Sequence, residues 1–203
     1  MASPIKISLK SEALAIFFIV ISLVASFYFY ANFPGVVPTH WNINGQPDGY
    51  SGRTFAAFFF PALIIGLYLL FLALPRLDPK RDRYREFENV YHVFKNFFVL
   101  FFVVLYFVAS LAGLGWAIRI DLVVPLMIGL LFIFFGIYLP NIKPNWFIGI
   151  RTPWTLSSEV VWQKTHQVGG RIFIIAGILM LLMPFLAGEL AFIVLMILIL
   201  ILV

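Results

Sequence analysis

Six apolar runs contain no Asp, Glu, Lys, Arg or His and make up most of the chain: Ala13–Ala31, Thr54–Leu74, Asn96–Ile118, Leu122–Pro140, Ile172–Gly188 and Leu190–Val203. At about 1.5 Å per helical residue, the first four are long enough to cross a hydrocarbon layer of roughly 30 Å. Only helices or closed barrels satisfy the backbone there. The predicted fold is therefore an all-α integral-membrane domain spanning 1–203. Its six transmembrane helices fall at 13–31, 54–74, 96–118, 122–140, 172–188 and 190–203. The last two runs are short, and Pro184 and Gly188 predict a tight turn between them. The 63% hydrophobic and 11% charged content excludes an ordinary soluble domain.

The first run is too long for a signal peptide and ends in the aromatic cluster Phe27–Tyr30, with no small-residue cleavage site. The chain has no cysteine, which removes disulfides and thiolate ligands. Basic residues divide twelve to two between alternate loops, with Lys6 and Lys10, six over 75–95 and four over 141–171 on one side. Arg53 and Arg119 lie on the other. The positive-inside rule then predicts a plasma-membrane protein with a cytoplasmic N-terminus and an external 32–53 loop. The net charge of +5 reads as topology and lipid contact, with no direct nucleic-acid binding.

No run carries a mid-membrane charge of the kind that coupling ions require, which argues against an ion-coupled transporter and leaves an apolar solute open. The buried polar content (Ser22, Ser26, Tyr68, Tyr106, Ser110, Tyr138) is accounted for by hydrogen bonds between helices, and Ala109 with Gly113 suits close helix approach.

Function is therefore sought in two loops. Between Pro34 and Arg53, Asn44-Gly45 and Asp48-Gly49 predict a rigid hairpin-like turn in which both glycines take positive φ. His40, Trp41, Asn42, Asn44, Gly45, Asp48 and Gly49 are its ligand-binding candidates. A single His with one carboxylate is a poor metal set, so no metal and no cofactor is expected. Between Pro140 and Arg171, Ser157 or Ser158 caps an amphipathic helix entering the fifth span, with Glu159, Gln163 and His166 on one face. Arg151, Thr152, Trp154, Glu159, Trp162 and His166 are the candidates there. Arg151 could grip a carboxylate or phosphate, or pair with Glu159.

"PTHWNINGQPDGYSGR" and "PNWFIGIRTPWTLSSEVVWQKTHQVGGR" together resemble the SdpI family of multi-spanning membrane immunity proteins. The resemblance rests on His40-Trp41-Asn42, on Gly45 with Asp48-Gly49, on Ile148 through Thr155, and on Trp162, Thr165, His166 and Gly169-Gly170. It implies protection against a secreted hydrophobic peptide toxin, and it implies recruitment of a cytoplasmic transcriptional repressor. The spacing of Pro34, Pro38 and Trp41 recurs in Pro140, Pro144 and Trp146, which suggests two inverted three-helix repeats.

The leading expectation is an immunity or signalling protein and not an enzyme, partnered by membrane lipids, a toxin outside and a repressor inside. The alternatives are a membrane enzyme using His166, Glu159 and Arg151, and a transporter. No hydrolase or protease motif supports the enzyme.

Overall fold

The computed structural model describes residues 4–186 together with Leu190 and Ile193. The sixth run and the return of the C-terminus to the cytoplasm thus lie outside the described residues. The element order is α1 (Leu9–Asn32), β1 (Val36–Trp41), β2 (Pro47–Gly52), α2 (Arg53–Leu77), α3 (Glu88–Gly113), α4 (Ile120–Tyr138), α5 (Pro153–Ser157) and α6 (Glu159–Leu182). Among the described residues, five helical segments are long and apolar enough to cross a membrane, and one short β hairpin accompanies them, as befits an all-α membrane protein.

The residues form two compact units. One comprises Lys6–Ala73 and His92–Val123, the other Met1–Ile5, Leu74–Tyr91 and Val124–Val203.

In the first unit α1 starts on a capping box: Ser8 Oγ accepts from the Ser11 N–H at 3.2 Å, and Ser11 Oγ accepts from the Ser8 N–H at 3.0 Å. One narrow stripe of α1 is buried, Ala15, Ile19, Ser22, Ser26 and Phe29, at alternating spacings of four and three. The apolar members of its first half meet Ile64, Val99 and Val103. Phe18, Leu23 and Ala25 flank that stripe partly buried, while Leu14, Phe17, Val20, Val24 and Phe27 are exposed. Ser22 and Ser26 do not link helices as expected; their hydroxyls donate to carbonyls in their own helix, Ile19 at 2.8 Å and Leu23 at 2.7 Å. Tyr106 does link them, donating to the Ala57 carbonyl at 2.8 Å.

In the second unit α4 and α6 run antiparallel at backbone contact. A Cβ added at Gly136 would stand 2.5 Å from the Gly170 carbonyl oxygen, and one at Gly129 2.9 Å from that of Gly177. Each partner glycine meets the reciprocal carbonyl as closely. Small residues allow such an approach in a membrane, where packing replaces the hydrophobic effect.

Two expected boundaries shift. The amphipathic segment and the fifth span are one unbroken helix, α6, capped by Ser158 accepting from the Val161 N–H. That helix ends at Leu182 and tightens into a 3-10 turn, Met183–Phe185, because Pro184 cannot donate to the helical ladder. The two proline segments proposed as a repeat also fold differently. Val36–Trp41 is a strand, whereas the matching residues 142–147 form neither strand nor helix.

Candidate functional site

The hairpin pairs β1 and β2 antiparallel, with Val36 opposite Gly52 and Trp41 opposite Pro47. Its turn closes on itself. Asn42 Oδ1 accepts from the Asn44 N–H at 2.9 Å and the Gln46 N–H at 3.0 Å, so Asn42 is spent on the turn and Asn44 joins it through its backbone. Across the strands His40 Nδ1 meets Asp48 Oδ1 at 2.5 Å. Gly45 has φ +72° and abuts Asp121. Gly49 does not have positive φ, contrary to expectation; it is small because a Cβ there would lie 2.8 Å from His40 Cβ. Trp41 is half-buried. Beneath the hairpin lies a cavity of about 190 Å³, walled by Val37 and Pro38 of β1, Phe55 and Phe59 of α2, and Ala109 and Ser110 of α3.

The 139–171 segment is held by hydrogen bonds that consume the residues singled out in it. His166 is fully buried; Nδ1 donates to the Trp162 carbonyl at 2.8 Å and Nε2 accepts from the Ile150 N–H at 3.1 Å. Both ring nitrogens are engaged and the neutral tautomer is fixed. Trp162 stacks on that ring at 4.1 Å and donates to the Ile142 carbonyl at 2.8 Å. Gly149, with φ +116°, lies so close that an added Cβ would stand 2.4 Å from His166 Nε2. Thr152 caps α5 in a box with Thr155. Arg151 donates to the Trp146 carbonyl at 2.6 Å, not to a carboxylate. Glu159 pairs instead with Arg83, which also holds Glu86 at 2.9 Å. Trp154 is 71% exposed. His166, Glu159 and Arg151 are thus committed to three separate partners and do not assemble as acid, base and anion site.

Two groups escaped the sequence reading. Asp78, nearly buried, accepts from the Lys80 N–H at 2.7 Å, the Tyr84 hydroxyl at 2.9 Å and the Trp146 N–H at 2.9 Å. Its position before Pro79 at a helix end was the available signal. More consequential is a buried charge pair. Lys95 Nζ donates to Glu12 Oε2 at 2.5 Å, with side-chain exposures of 0% and 5%. The Tyr68 hydroxyl donates to the same oxygen at 2.9 Å, Ser11 donates to Oε1 at 2.9 Å, and His92 Nδ1 lies 3.3 Å from Lys95 Nζ. An interior without charge was expected, and this overturns it. Delimiting runs by their first charge assigned Glu12 and Lys95 to loops, but α1 begins at Leu9 and α3 at Glu88, which places both residues inside helices. Among the described residues no three His, Asp or Glu side chains converge as a metal site.

Among the described residues, five helices long and apolar enough to cross a membrane define a multi-pass membrane protein. The chain is 24% identical over 192 residues to the Immunity protein SdpI of Bacillus subtilis (strain 168), an alignment covering 95% of this chain and 90% of that protein. Residues 141–203 match the SdpI/YfhL protein family, and residues 17–65 match a domain family of unknown function, DUF1648. The resemblance to the SdpI family carried by the two loops therefore holds, and each loop lies in a different matched segment. No solved structure matches the chain.

Proposed function

We propose that the chain is a plasma-membrane immunity protein that protects its cell against a secreted apolar peptide, with its N-terminus in the cytoplasm and its hairpin outside. Similarity to an immunity protein along 95% of the chain carries this reading. The hairpin and the cavity beneath it supply a place for the peptide. At about 190 Å³ the cavity is smaller than the several hundred Å³ that whole small molecules occupy, so it suits one bulky side chain of a longer ligand. Its aromatic walls and two hydroxyls, Thr39 and Ser110, fit an aromatic anchor. Recruitment of a cytoplasmic repressor would fall to the 139–171 segment, in which Trp146 and Trp154 are exposed.

The test is survival of a sensitive host that carries the gene when challenged with the secreted peptide of the producing strain. Wild-type chain is expected to protect. Ala109→Phe, which fills the cavity, is expected to lose at least tenfold of that protection at unchanged membrane abundance. No protection by wild type refutes the immunity reading, whereas protection undiminished by Ala109→Phe refutes only the cavity.

A further inference from the structure

The charge cluster of the first unit lies at the end of the helices remote from the hairpin and is drawn from three of them. Glu12 and Ser11 come from α1, Tyr68 from α2, and His92 and Lys95 from α3. An ammonium has three donors and no acceptor, and a buried one needs a partner for each. Lys95 finds them in Glu12 Oε2, His92 Nδ1 and the face of Tyr68, whose centroid is 5.7 Å from Nζ. The set closes only while His92 Nδ1 carries a lone pair. Lys95 cannot accept, so the 3.3 Å contact makes His92 the acceptor and places its single ring proton on Nε2.

We infer that this cluster is a proton-operated clasp: it holds α1 against α2 and α3 while His92 is neutral and lets go when His92 takes up a proton. The proton comes from water and adds to Nδ1. The acceptor for Lys95 is lost, and a second positive charge then stands beside its ammonium. The new N–H faces the Glu12 carboxylate, whose Oε1 lies 3.8 Å from Nδ1. The Glu12 carboxylate then serves two cations, and the Lys95–Glu12 bond that ties α3 to α1 is shared. Of the three titratable groups, His92 is the most exposed, at 14% of its side chain against 5% and 0% for Glu12 and Lys95. It is also the one whose ordinary ionisation lies near neutrality. Glu12 on α1 and Lys95 on α3 stand against it, Ser11 on α1 and Tyr68 on α2 donate to the same Glu12 carboxylate, and Glu88 lies one turn earlier on its own helix. The sign follows: closed above the imidazole transition, open below it. Under the orientation proposed above, the clasp reads cytoplasmic pH.

Spin labels on the full-length chain in lipid nanodiscs test this. The chain has no native cysteine, and positions 10 and 93 are exposed, so Lys10→Cys with Val93→Cys reports α1 against α3. Between about pH 8 and about pH 5, the range that imidazoles titrate, the distance should lengthen by about 2 Å or more, the scale of a helix shift. His92→Gln accepts a bond but takes up no proton, and it should hold the closed distance throughout. Glu88→Gln and His40→Gln should keep the response. An invariant distance in the unmutated chain, or a response that survives His92→Gln, overturns the clasp. If His92→Gln fails to insert, nitrogen NMR of histidine-labelled protein decides instead. A neutral-pH proton on Nε2 of His92 supports the clasp, and one on Nδ1 overturns it.

Discussion

Gly149 shows how little room the 139–171 segment leaves. With φ +116° and a Cβ position only 2.4 Å from His166 Nε2, alanine would carry both backbone strain and a collision with the atom that accepts the Ile150 N–H. Strain of this kind costs about 1–3 kcal/mol. Gly149→Ala should therefore lower the midpoint of thermal unfolding in detergent, whereas Gly35→Ala, with open space around it, should not. Arg151 makes a different point. Its planar fork matters for a carboxylate or phosphate, but here it donates to the Trp146 carbonyl, a single acceptor that an ammonium also satisfies. Arg151→Lys should thus behave like wild type in the survival assay, and Arg151→Ala should be the weaker of the two. A defect in the Lys variant as large as in Ala would return a bidentate anion to that position. Sequence made Arg151 a candidate and carried Gly149 only as part of the Ile148–Thr155 match. It did not show what each touches, because the partner of Gly149, His166, lies a full loop and two helical turns away.

Helix pairing is where sequence reading fell short for a physical reason. The spans were legible because apolar runs must match bilayer thickness, and α2 and α4 begin and end within three residues of their runs. The seam between α4 and α6 was not. Gly129, Gly136, Gly170 and Gly177 are seven apart within each helix, a spacing that only becomes a contact when the two helices lie antiparallel. Gly136→Leu should separate the helices and abolish the folded, monodisperse species in size-exclusion chromatography, while Gly66→Leu, on open surface, leaves it intact. Glu12 and Lys95 were invisible for the same reason, being separated by 83 positions. Breaking a buried ion pair by removing one partner costs about 3–5 kcal/mol, and removing both costs less. Lys95→Met should accordingly destabilise the chain more than Glu12→Gln combined with Lys95→Met. A double variant as unstable as the single one would mean that the carboxylate is held by Tyr68 and Ser11 and that Lys95 fills space.

At the scale of the whole molecule, the charge cluster changes the basis of the orientation argument without reversing it. Lys95 is buried and paired, so it is no determinant of topology; the remaining basic residues still divide eleven to two. That asymmetry predicts a cytoplasmic N-terminus, an external hairpin and a cytoplasmic 139–171 segment. The structure selects the positions that test it. Gln46 at the hairpin turn and Ser157 at the end of α5 are exposed, whereas Thr155 is buried and would resist labelling on either side. In a chain with no native cysteine, Gln46→Cys should react with a membrane-impermeant maleimide in intact cells, and Ser157→Cys only after lysis. The reverse pattern would put the hairpin and its cavity in the cytoplasm, out of reach of a secreted peptide, and would turn the His92 clasp toward the outside.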